Sequence, residues 1–302
     1  RFYYIPVHAR EPQPAADAIT DGVDIVLKWR AGREAASHEV SFGMDPAAVA
    51  EGTAAVTTTD VPSLDLSAQD LELNATYYWR ITEVNNAADP ASHIGDIWSF
   101  STPAFRAVDS FDLYDDDCRR IFFTWLDGLG HSGSEGCAVA PYDGNLTGSA
   151  VGNAEPSFAE TAVVISGQSM PLAYDNSIAP FYSEAVTDDF SLPTDWTKGG
   201  AEILSLSVRG IPGSDDNPGN DPDTLYIAVT DSAGQTKRIE HPDPDVALTG
   251  DWLEWQIPFT ELNGLNLASI KRVALGLGNP DSPQAGGAGL LYIDEIRVGK
   301  VE

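Results

Sequence analysis

Short runs in which apolar and polar residues alternate recur along most of the chain. In EILSLSVR (202–209), Leu204, Leu206 and Val208 point one way and Ser205, Ser207 and Arg209 the other. That two-residue period is the mark of a strand with one buried face. The same period runs through VDIVLKW (23–29), SHEVSFG (37–43), TYYWRITEV (76–84) and DIWSFST (96–102). After residue 104 the segments AVDSFDLY, RIFFTWLD, TAVVISG, SMPLAY, FYSEAV, TLYIAVTD, TKRIEH, LEWQIPF, KRVALGLG and LLYIDEIRV also read as strands. Helical periodicity is nearly absent, and TELNGLNLASI (260–270) is the stretch that would hold a turn or two. The pattern predicts an all-β chain of two β-sandwich domains, residues 1–103 and 104–302. At 302 residues, each domain is large enough to bury its own core.

Two segments carry family resemblances. LELNATYYWRI places Leu71 six residues before Tyr77, and this resembles the fibronectin type III pattern. The resemblance implies a tyrosine corner, in which the Tyr77 hydroxyl bonds upstream backbone. It also implies a core role for Trp29, with Tyr77, Trp79 and Ile81 facing inward. Where that family has Pro-Gly before the corner, this chain has Leu73-Asn74; Asn tolerates the left-handed conformation that Gly supplies. From Asp195 onward, DWTKGGAEILSLSVRG, LEWQIPF, IKRVALGLG and LLYIDEIRV follow in an order that resembles family 11-type carbohydrate-binding modules. Those are jelly rolls among the galactose-binding-like domains. The pairing of the two units resembles parts of large secreted proteins from planctomycete-like bacteria. The resemblance implies a secreted or cell-surface protein that binds polysaccharide and catalyses nothing.

Charge narrows the partners. Lys and Arg number 17 against 46 Asp and Glu, a formal net charge of −29. Such a surface repels phosphate backbones and anionic bilayers, so nucleic acid and membranes are poor partners. No apolar run approaches the twenty residues of a membrane span. The opening RFYYIPVHAR has no long apolar core and so is not a signal peptide; it reads as the interior of a longer chain or a processed end. Cys118 and Cys137 are the two cysteines. In an exported chain they would form one disulfide, with a pair of buried thiols as the other reading.

Candidate chemistry follows from the jelly-roll resemblance, which implies a structural calcium shared by the first and last strands. Carried over, its ligands are Asp109, Asp112 and Asp294. Asp294 also stands in an apolar strand, where a bare carboxylate is costly unless paired or metal-bound, and hard oxygen ligands suit calcium. The loop GSDDNPGNDPD (213–223) is acidic too, but its spacing fails the EF-hand pattern. Sugars stack on aromatic rings and hydrogen-bond to polar side chains. The candidates for that work are Tyr226 and Arg209, with Tyr182 and Trp125; Trp196 and Trp255 read as structural. His131 stands in a stretch, GHSGS, without a nucleophile-elbow frame, and is expected to be a loop residue. Nothing in the sequence marks a catalytic carboxylate pair. The competing expectation is a matrix, adhesin or surface-layer subunit that self-assembles through exposed edge strands.

Overall fold

The computed structural model describes residues 6–188, 192–216 and 218–301. The first five residues of the opening segment, and residue 217 of the acidic loop, lie outside these. The chain divides into two compact units. Unit 1 is Arg1–Arg106 with Lys198–Ala201, and unit 2 is Ala107–Thr197 with Glu202–Val301. The division therefore gives a four-residue piece of the later sequence to unit 1, which a single linear boundary does not.

Unit 1 contains β1 (Arg10–Gln13), β2 (Ala18–Ile19), β3 (Val26–Arg30), β4 (Ser37–Gly43), β5 (Ala55–Thr59), β6 (Ser63–Asp65), β7 (Thr76–Val84) and β8 (Ser92–Ser101). They form a three-stranded sheet in the order β1-β3-β6 and a five-stranded sheet in the order β2-β8-β7-β4-β5. Along β7, Tyr77, Trp79 and Ile81 are buried while Tyr78 and Arg80 are half-buried on the other face. Trp29 of β3 joins the Trp79 ring in the core, at 6.1 Å between centroids. The Tyr77 hydroxyl accepts the Glu72 amide at 2.9 Å, and Asn74 takes a φ of 53°. A buried hydroxyl is thus satisfied by backbone that has no sheet partner at the corner. Between β4 and β5 lies a short helix α1 (Pro46–Glu51) with local signals at both ends. Asp45 caps it by accepting the Ala47 amide, Pro46 opens its first turn and Gly52 ends it at φ 74°.

Unit 2 begins along β9 (Phe105–Asp109) and continues with β10 (Ser149–Val151), β11 (Met170–Asp175), β12 (Tyr182–Thr187), β13 (Ile203–Arg209), β14 (Leu225–Asp231), β15 (Thr236–Glu240), β16 (Leu253–Pro258), β17 (Ile270–Gly278) and β18 (Ala288–Gly299). One sheet runs β10-β11-β18-β13-β16, with β9 also on β18, and the other runs β12-β17-β14-β15. The protein is therefore all-β, with two sheets in each unit. Leu225, Ile227 and Val229 of β14 and Val273, Leu275 and Leu277 of β17 are buried on one face. Trp196 and Trp255 are buried too, as structural residues should be.

Three sequence expectations change. RIFFTWLD supplies a four-residue helix α2 (Ile121–Thr124) in place of a strand. TAVVISG stays irregular because Glu160 binds its first amides: Oε1 accepts from Thr161, Ala162 and Val163. Ser205 and Ser207 do not face solvent but are buried on the inner strand β13, with β16 on one side and β18 on the other. No helix among the described residues is long and apolar enough to cross a membrane.

Candidate functional site

Strand register in the four-stranded sheet builds a cleft in unit 2. Across β12, β17, β14 and β15 one row reads Glu184, Gly276, Tyr226, Glu240, and the next Val186, Ala274, Ala228, Arg238. Gly276 has to lack a side chain, because a Cβ there would lie 2.3 Å from the Tyr226 hydroxyl. The hydroxyl end of the Tyr226 ring occupies that bare position and donates to Glu184 Oε2 at 2.8 Å. Arg238, one strand over, covers the ring with its guanidinium carbon 5.6 Å from the centroid, a cation–π contact. Asp281 holds Arg238 at 2.8 Å and Glu240 lies at 4.0 Å.

The result is an open cleft of about 820 Å³, walled further by Lys237, Glu261 and Pro280. Four carboxylates and two cations line it, so its field is negative. Burial, and then the charge of Glu184, push the Tyr226 phenol above its ordinary range. It therefore stays protonated and serves as a donor.

The four ligand candidates part company. Tyr226 forms the cleft floor but is fully buried, with Arg238 between its ring and the opening. Tyr182 stands two residues from Glu184 on the same face of β12. Arg209 is on β13 in the other sheet, opposite Tyr292, and so cannot share this face. Trp125 is not a platform: it is fully buried, and its indole donates to Asp109 Oδ2 at 2.8 Å. Glu184, Arg238, Glu240 and Asp281 were not singled out from the sequence. The alternation of Arg238 and Glu240 within TKRIEH was a usable signal, once the Asp231–Gln235 turn is read as a hairpin.

The three expected calcium ligands act as separate hydrogen-bond acceptors. Asp109 takes the Phe111 amide, the Tyr114 hydroxyl and the Trp125 indole at 2.8, 2.6 and 2.8 Å. Asp294 is fully buried and takes the Ile165 and Glu295 amides, each at 2.8 Å. Asp112 is exposed and takes the Gln168 amide at 2.8 Å. Among the described residues these carboxylates form no group with ligand atoms within 4.8 Å of one another. Each of the three thus has at least one oxygen already engaged by a local donor. Desolvation pushes Asp109 above the ordinary carboxylate range and Asp294 up to about 6.

The stretch from 127 to 149 is a built loop. Asp127 is buried and accepts from Leu129, Gly130 and Val151 at 3.0, 2.9 and 2.7 Å. Cys118 and Cys137 form a disulfide with Cα atoms 5.3 Å apart. His131 packs between Phe123 and Tyr142, and its Nδ1 accepts the Gly133 amide at 3.2 Å. Burial holds it below its ordinary pKa.

No protein-family model matches the chain, and no curated protein matches it. Several solved structures are remotely similar. The family 30 carbohydrate-binding module of a cellulosomal cellulase of Clostridium thermocellum aligns with a TM-score of 0.35 and 13% identity, covering 60% of this chain and 96% of that one. The CBM22-1 xylan-binding domain from Paenibacillus barcinonensis aligns with a TM-score of 0.29 and 13% identity, covering 59% and 98%. An agarase aligns with a TM-score of 0.33 and 12% identity over 51% of this chain but 23% of its own. Likenesses this distant leave function to be read from the site itself.

Proposed function

We propose that unit 2 is a non-catalytic carbohydrate-binding module and that its cleft takes a polysaccharide chain. In this reading unit 1 is a fibronectin type III-like spacer, and the protein works outside the cell or on its surface. One observation carries the proposal. Arg238, stacked on Tyr226 and held by Asp281, presents a fixed planar donor set at the base of an open groove whose carboxylates can accept from sugar hydroxyls. Such grooves suit a long, hydroxyl-rich ligand better than a small molecule that must be enclosed. The non-catalytic reading draws support from the engagement of three of the cleft's four acids: Glu184 holds Tyr226, while Asp281 and Glu240 flank Arg238. Unit 1 supports the spacer reading through its Tyr77 corner and its three-plus-five strand arrangement. The test is retention of the full chain on a panel of immobilised polysaccharides. Arg238→Ala should lower retention at least tenfold on whichever glycan holds the wild type; unchanged retention would rule the cleft out.

A second reading, a self-assembling surface subunit, is favoured by β5. It is an edge strand, AVTTT, without charge in a chain of net charge −29, and four of its five residues are exposed. Uncharged open edges are templates for strand pairing. Concentration-dependent association that Thr57→Asp abolishes would support this reading.

A further inference from the structure

Strand β12 is the outer strand of the cleft sheet in the ladder order, yet its free edge is covered. Leu126 exchanges backbone bonds with Val186, at 2.7 and 2.9 Å, and the Gly148 amide donates to Tyr182 O at 3.0 Å. Between them, at Glu184, side chains stand in for a strand. Asn145 Nδ2 and Ser149 Oγ each donate to Glu184 O at 2.7 Å, and Thr147 Oγ1 accepts the Glu184 amide at 3.1 Å. Thr147 is itself fixed by a 2.7 Å bond to Asn145 Oδ1. The intervening Leu146 has a φ of 63°, a conformation that leucine adopts only under constraint, and its side chain is 76% exposed. Its own packing therefore does not explain the backbone shape, whereas the two flanking side chains aimed at Glu184 do.

Glu184 is the residue that receives the Tyr226 hydroxyl at the cleft floor. A connected set of bonds thus runs from the loop to β12 and on to the residue under Arg238. We infer that Asn145 and Thr147 are positioning residues for the cleft: they fix Glu184, and through it the Tyr226–Arg238 stack. The inference rests on the cleft being the glycan site, but its physical core, the control of Tyr226 by the loop, does not. A strand partner could bond the same edge, but it would not hold Glu184 through side-chain groups as Asn145, Thr147 and Ser149 do. Threonine at 147 is required for that hydroxyl and not for its methyl group.

The experiment compares Thr147→Val, which is nearly isosteric, with Thr147→Ser, which keeps the hydroxyl. Both are made in the full chain and followed by two readouts. The first is the ring resonance of Tyr226 in tyrosine-labelled protein, assigned by its loss in Tyr226→Phe. It should move in Thr147→Val and return to the wild-type position in Thr147→Ser. The second is retention on the glycan that holds the wild type, which should fall about five- to tenfold in Thr147→Val and recover in Thr147→Ser, the size expected for one lost hydrogen bond. If the Tyr226 resonance is the same in Thr147→Val and wild type, the inference is overturned. If the resonance moves while Arg238→Ala leaves retention unchanged, the glycan-cleft reading fails and the positioning of Tyr226 stands.

Discussion

Two sheet edges in this protein are treated in opposite ways. In unit 2 the edge of β12 is closed by Leu126, Gly148 and three polar side chains within one loop. In unit 1 the edge strand β5 pairs with β4 alone and leaves its residues in water. Edge groups can be left to solvent at little cost in stability, because water satisfies them. An elaborate cover on one edge therefore points to a demand other than stability. On the positioning inference, that demand at β12 is the fixed position of Glu184 beneath the cleft.

The sharpest way to break the contrast is to dismantle the cover at its base. Asp127→Ala removes the partner of three amides, one of them feeding directly into β10. It should cost about 3 kcal/mol of unfolding free energy by urea titration; a loss under about 1 kcal/mol would show that the loop holds itself.

A second probe asks what buried carboxylate staples cost. Asp294 binds the Ile165 amide much as Asp127 binds its own, and desolvation raises it to about 6. A carboxyl raised on folding favours the folded state when protonated, so the stability it contributes is lost as pH rises through the folded value. Between about pH 4 and 6.5 the wild type should lose about 1 to 2 kcal/mol from this group. Asp294→Asn should flatten that dependence. A slope unchanged in the variant would assign it to other groups.

Smaller effects test the unit 1 side. Tyr77→Phe removes the acceptor of the Glu72 amide and should cost about 1 kcal/mol; no loss would mean that water replaces the hydroxyl. Thr57→Asp on the open edge should change stability by less than about 0.5 kcal/mol, because that side chain is exposed on a strand with one neighbour. A larger loss would show that β5 is more committed to the fold than its exposure suggests.

Much of the fold was legible in the sequence. β3, β4, β7, β8 and β13 stand where alternation put them, although β13 proves to be buried on both faces. β5 was not legible, because AVTTT buries neither face and so leaves no alternation to read. RIFFTWLD misled because its aromatics favour strands in isolation, whereas Trp125 is drawn inward by the buried carboxylate of Asp109, sixteen residues earlier. The cleft was half legible. Tyr226 announced itself as an aromatic on an amphipathic strand. Alternation within TKRIEH puts Arg238 and Glu240 on one face, but the stack on Tyr226 and the hold by Asp281, about forty residues away, come from register across β14 and β15 and from tertiary contact. The carboxylates expected to share a calcium accept local amides and an indole, bonds that residue types alone do not show.

The most direct test of the central claim is polysaccharide affinity electrophoresis of the full chain and of Arg238→Ala. The account predicts that at least one hydroxyl-rich glycan retards the wild type and releases the variant. A wild type that no glycan retards, or a variant retarded equally, would contradict it.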